Sequence, residues 1–271
     1  MTAATPADEE EIEATKAPLL DHLIELRKRL VISLIAFALC FILCFAFSKY
    51  IYAFLTEPLA HALAGQPNHH LIYTALYETF FTYVKLGMFA GICLSFPIVA
   101  SQLWLFIAPG LYRHERRAFL PFLVATPVLF FMGAAFVYYV MLPFAIRFFV
   151  GYETPGGHGT LGIELQAKVS EYLDFVTTLI FAFGLCFQLP VLLALLGRVG
   201  IVSSKQLRSL QRYAILGIVA LCAVVTPPDP FSMMSLALPL IVLYEISIWC
   251  VRLIEKQRAR DDAARAAAAA S

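Results

Sequence analysis

The chain has 271 residues, 61% hydrophobic and 14% charged, with a formal net charge of +1 and a mean hydropathy of +0.78. A soluble domain carries about a quarter charged residues, so the composition excludes an ordinary soluble fold and reads as a membrane protein. The near-zero net charge argues against a nucleic-acid partner.

In chain order, residues 1–17 are acidic, lack an apolar signal-peptide core and read as a tail. The stretch "PLLDHLIELRKRL", residues 18–30, reads as an amphipathic turn or two running into the first apolar run, 30–47. Further runs occupy 86–107, 118–144 (with Pro127 and Pro143 inside it) and 175–196 (broken by Gln188 and Pro190). The fifth, 214–225, is short, and the sixth, 231–251, contains Pro239 and Glu245. About 20 residues are needed to cross a ~30 Å hydrocarbon core. The first four runs qualify, whereas the fifth covers only ~18 Å as a helix.

Charge placement decides that the fifth run crosses. With six spans and the N-terminus inside, 16 of the 20 lysines and arginines fall in inner segments. Lys49, Lys85, Arg147 and Lys168 are the exceptions, outside or near outer helix ends. This follows the positive-inside rule, and Trp104 and Trp249 fall near inner ends, where amphipathic rings prefer to sit. Dropping the fifth span would send the basic C-terminal cluster outside. The organisation expected is therefore a tail over 1–17, one six-span membrane domain over 18–254 and a charged, Ala-rich tail over 255–271, both tails mobile or weakly helical and both inside.

The six cysteines all lie in apolar runs and read as small packing residues. The six histidines sit away from span centres, so neither a metal nor a cofactor is expected. At an offset of 93, Glu78, Leu86, Gly91, Cys93 and Pro97 align with Glu171, Leu179, Gly184, Cys186 and Pro190. That match suggests a parallel internal repeat, although two Pro-kinked helices with acidic first turns would look the same.

Two acids stand alone among bases. Glu25 neighbours Arg27, Lys28 and Arg29, and Glu115 sits in "APGLYRHERRAFLP", residues 108–121. The plain readings are an i,i+4 pair of Glu25 with Arg29 and a dipole partner at the start of the third span for Glu115. Their shared membrane face suggests instead an inner-surface site for a cationic ligand. Within the spans, Gln188 and Glu245 stand out, since an intramembrane carboxylate is costly and usually functional. Glu245 has no Lys or Arg opposite it on this reading and is expected to face a wet concavity. "TPPDPF", residues 226–231, reads as a tight outer turn in which Asp229 bonds backbone amides.

"HLIELRKRL", "FIAPGLYRHERR", "FGLCFQLPV" and "TPPDPFS", in this order and spacing, resemble the TatC family of the twin-arginine translocase over about residues 18–254. The resemblance implies an all-α fold of six transmembrane helices in a curved, glove-like wall, with the last two spans short. It implies a non-enzymatic receptor for Arg-Arg signal peptides in the bacterial cytoplasmic membrane. That receptor nucleates a complex exporting folded proteins with the proton-motive force. The implied partners are the single-span subunits TatA and TatB, signal peptides, the bilayer and further copies of the chain. Carried over residue by residue, Glu25 and Glu115 would bind the signal, with Leu26, Arg27, Phe106, Leu111, Tyr112 and Arg117 around them. Gln188, Thr226, Asp229 and Glu245 would supply polar intramembrane or partner contacts. Many relatives carry Glu where Gln188 stands, and Ala223 and Met233 replace the Met and Gln of some relatives, which points to a more apolar docking surface.

Two rival functions find little support. An ion-coupled transporter predicts paired intramembrane charges and helices broken at mid-bilayer. An intramembrane enzyme requires a nucleophile–base pair or metal ligands within the spans, and none is visible.

Overall fold

A glycine pair lets two helix backbones approach closely. In the computed structural model, which describes residues 6–63, 71–107, 116–154, 161–163, 165–225 and 230–270, α1 (Pro6–Ala46) packs most extensively against α3 (Glu78–Ile107). A Cβ on Gly91 would come 2.9 Å from Phe41 Cα, and one on Gly87 would come 3.1 Å from Phe45 Cα. These glycines, four residues apart, form a small-xxx-small seam into which the aromatic ridge of α1 sits. Hydrophobic burial gives no drive between helices in lipid, so such close backbone approach supplies the packing.

Helix α2 (Ser48–Ala62) follows at the far end of α1. The third span is α4 (Arg116–Phe136), a π-helical turn over Val137–Met141, and α5 (Leu142–Val150). Pro143 opens α5; it has no N–H to donate, and the chain accommodates it with the wider turn. The fourth span is α6 (Val169–Cys186) and α7 (Leu189–Val199), separated at Phe187 and Gln188 because Pro190 cannot continue the ladder. The last two are α8 (Ser204–Val225) and α9 (Pro230–Ala270). Among the described residues there is no sheet, only isolated bridges joining Ile72 to Lys168 and Thr154 to Ile163.

Among the described residues, six helical segments are long and apolar enough to cross a membrane. The last two cover 21 and 25 residues, against 29 to 31 for the second to fourth. The fifth apolar run is only the C-terminal half of α8, whose polar first turns lengthen it to 22 residues. Helix continues from both outer spans into the regions read as tails, from Pro6 and to Ala270.

The spans form an open, curved wall. The first packs on the second, the second on the third and fourth, the fourth on the sixth and the sixth on the fifth. The fourth span is central: half of its most apolar stretch is buried, against 6% for the first span at the edge. The core gathers Phe130, Val137, Leu142, Val176, Phe183, Leu240 and Ile248. The two glycines of the offset-93 match pack differently: Gly184 of α6 meets the ring of Phe130 of α4, whereas Gly91 of α3 meets the backbone of α1 at Phe41.

Gly91→Ala is expected to destabilise the chain by ~1–3 kcal/mol, because backbone rather than a movable side chain stands in the way. Gly217 is the control, since a Cβ added there would meet no described atom within 4 Å. Gly217→Ala should leave stability unchanged or raise it by up to ~1 kcal/mol. Thermal unfolding of both variants in detergent checks the contrast.

Candidate functional site

The face carrying the start of α1 also carries the end of α3. His22 stacks on Phe106 with ring centroids 4.3 Å apart and planes 22° from parallel. One turn along α1, Arg29 Nε donates to Glu25 Oε1 at 3.1 Å, and Arg29 Nη2 closes on the same oxygen. This is the i,i+4 pair expected from helical spacing. Glu25 keeps 35% of its side chain exposed, and Leu26 and Arg27 beside it are exposed. Glu25, Leu26, Arg27 and Phe106 thus share one end of the α1–α3 pair. Leu111, Tyr112 and Glu115 lie outside the described residues, as do Thr226, Asp229 and the side chain of Arg117.

Deeper in the wall, a polar chain crosses three spans. Trp104 of α3 donates through Nε1 to Thr126 Oγ1 of α4 at 2.8 Å, and that hydroxyl donates to Phe122 O at 2.8 Å. Gln188, at the break between α6 and α7, donates Nε2 to Thr126 O at 2.9 Å. Its Oε1 is buried and accepts nothing among the described residues. Trp104, expected near the inner membrane surface, is turned inward and buried. A buried indole N–H needs an acceptor, and Thr126 in the third apolar run is the signal in the sequence that points to it.

Glu245 is not opposed by lipid alone. Arg208 Nη1 lies 2.9 Å from Glu245 Oε2, and Gln211 donates Nε2 to Oε1. The expectation that no cation faces Glu245 fails because α8 extends well beyond its apolar half. Arg208 lies 17 residues before Val225, where α8 ends, and Glu245 lies 15 after Pro230, where α9 begins. Antiparallel helices on one short connection therefore bring the two level at ~23–26 Å from the turn. Tyr244 OH donates to Leu207 O at 2.8 Å in the same layer, and Ser204 N donates to Glu255 Oε1 at 2.9 Å, so an acid of α9 caps α8.

At the opposite face, Glu78 gathers the start of α3. Its carboxylate accepts from Thr74 N at 2.8 Å, Ala75 N at 3.2 Å and Ser170 Oγ at 2.6 Å. Lys85 and Asp174 pair at 2.9 Å between α3 and α6, a bridge that no sequence pattern announces. Among the described residues no three His, Cys, Asp or Glu side chains group as metal ligands.

The family profile described as Sec-independent protein translocase protein (TatC) matches residues 21–239. A Sec-independent protein translocase protein TatC from Magnetococcus marinus is 49% identical over 93% of this chain and 90% of its own length. The protein so named from Rickettsia prowazekii is 42% identical over 88% of this chain and 94% of its own. That from Escherichia coli K12 is 37% identical over 90% and 92%. A crystal structure of the twin arginine translocase receptor TatC superposes with a TM-score of 0.74 at 36% identity, covering 86% of this chain and 99% of that one.

Arg208 and Glu245 are both more than a third exposed, which limits the strength of their pair. A double-mutant cycle of Arg208→Gln and Glu245→Gln, read by unfolding in detergent, is expected to give a coupling of ~0.2–1 kcal/mol. A coupling indistinguishable from zero would mean the two groups do not interact.

Proposed function

The chain belongs to the TatC family of Sec-independent protein translocase proteins, and from that premise we propose that it is the receptor component of a twin-arginine translocase in a bacterial inner membrane. Its task is to bind Arg-Arg signal peptides at the cytoplasmic face. It then nucleates, with TatA, TatB and further copies of itself, the complex that exports folded proteins on the proton-motive force. Both termini face the cytoplasm, in keeping with the basic segments on their side of the wall.

The observation that carries this reading is the junction of α1 with α3. The His22–Phe106 stack joins the helix bearing Glu25 to the end of α3, and Glu115 follows Ile107 by eight residues in the segment leading to α4. On the proposed topology both lone acids belong to one membrane face. A guanidinium presents a planar fork of donors that fits a carboxylate, which lysine does not reproduce. Arg29 demonstrates that Glu25 accepts a guanidinium, and a signal arginine would take Arg29's place on it. For the partner subunits, α8 offers an apolar face on which Leu216, Leu221 and Val224 are exposed. Met233 packs toward the core instead, so docking at this end rests on apolar contact more than on polar side chains.

If a charge-assisted contact contributes ~1.5–3 kcal/mol, Glu115→Ala should weaken Arg-Arg peptide binding roughly 10- to 150-fold. Glu25→Ala should weaken it as well, and Glu115→Gln should recover only part of the loss. A Lys-Lys peptide should bind the unmutated chain poorly and lose less on mutation. Binding titrations with both peptides test this, and equal affinity throughout would reject the site. For topology, cysteines placed at Ala269 and Asp229 should label from opposite sides with an impermeant reagent, Ala269 from the cytoplasm. Labelling from one side would reject the six-span arrangement.

A further inference from the structure

At the face opposite the termini, α2 lies against α5 and closes a cavity of about 340 Å³, with Glu57 and His61 on one wall and Tyr138 and Arg147 on the other. Tyr138 OH lies 3.2 Å from Glu57 Oε2, and His61 Nε2 lies 3.6 Å from Glu57 Oε1. Arg147 forms no ion pair among the described residues. A second cavity, of about 430 Å³ and almost wholly apolar, adjoins the first, and the two share Phe54, Tyr138 and Tyr139. It follows the third span back to Phe130. From Tyr139 to Phe130 is nine residues, ~14 Å of helix, close to half of the ~30 Å hydrocarbon core.

We propose that these adjoining cavities are a phospholipid site in the leaflet opposite the termini, and that its occupant is a zwitterionic phospholipid with a primary ammonium headgroup. The phosphate meets Arg147, the ammonium meets Glu57, and one acyl chain fills the apolar groove. Charge complementarity selects this headgroup. A phosphatidylglycerol headgroup offers hydroxyl donors but no positive charge, so it would add net negative charge beside Glu57 without a charge-assisted bond to it. A choline headgroup carries no N–H and cannot donate to Glu57, whereas an ammonium donates three hydrogen bonds. Free phosphate would use Arg147 but leave the groove unfilled. The inference does not depend on signal-peptide binding, since the two sites lie at opposite ends of the wall.

The test is native mass spectrometry of the full chain in neutral detergent with phosphatidylethanolamine, phosphatidylglycerol and phosphatidylcholine of matched chains. Phosphatidylethanolamine should be retained about tenfold over the other two, the scale of one charge-assisted hydrogen bond. Arg147→Gln should reduce retention of all three. Glu57→Gln should abolish the preference for phosphatidylethanolamine without abolishing lipid binding. Ala135→Leu, which fills the groove, should reduce retention of all three whatever the headgroup. Unfolding temperature in lipid-free detergent verifies that each variant is folded. Equal retention of the three lipids, or a preference unchanged in Glu57→Gln, overturns the proposal. Displacement of lipid by millimolar inorganic phosphate also overturns it, by reducing the site to an anion site.

Discussion

A polar group freed inside hydrocarbon has no water to turn to, and this constraint shapes the wall wherever a helix departs from regularity. The third and fourth spans both depart from regularity beside a proline, and Val137, Tyr138 and Met141 at the first departure and Phe187 at the second are buried. At the second break, Gln188 donates to the carbonyl of Thr126, whose hydroxyl already serves Trp104. One threonine thus ties three spans. Gln188 Oε1, which accepts nothing among the described residues, is the cost of placing an amide there, and an unpaired carboxylate at that position would carry a far larger one.

The same constraint explains where the charges fall. Lys85 with Asp174, and Arg208 with Glu245, join adjacent spans near the ends of the wall rather than at mid-membrane. Long side chains there reach the interface with their heads while their stems lie along apolar surface. These pairs bring little net stability when exposed, but they fix which helix faces which. The α8–α9 pair is held in register this way, by Arg208 and Tyr244 at one level and Glu255 further along, with four residues between Val225 and Pro230.

The spans are legible in the sequence because each is a long apolar run, and the family is legible because four separated motifs recur in order. Other features are hidden for physical reasons. Helix α2 carries Lys49, Glu57 and Pro58 in 15 residues, too polar and too short to read as a span and lacking an obvious stripe. Gly91 stands out in the sequence only as part of a repeat, although Gly87 four residues earlier completes the packing seam with α1. Arg208 escapes a reading that equates the apolar length of the fifth run with the length of its helix. Glu25 and Phe106 belong to separate motifs and share one end of the α1–α3 pair, whereas Glu115, Leu111 and Tyr112 rest on the motif alone.

The pair of Glu25 with Arg29 bears on why such a receptor would require two arginines. On the proposed reading, a signal arginine arriving at Glu25 replaces one guanidinium with another. The exchange gains less than a contact with an unpaired carboxylate would, because the resident i,i+4 pair, worth ~0.2–0.5 kcal/mol, is given up. A ligand with one arginine therefore competes against a tethered rival that is always present. A ligand that also occupies Glu115 makes a second contact, and the two occupancies reinforce each other through a short linker and a high effective concentration. On this reading the resident arginine raises the requirement on a single-charge segment. It would also compete with stray cations for Glu25, so discrimination would come from a competing element as well as from an attractive one.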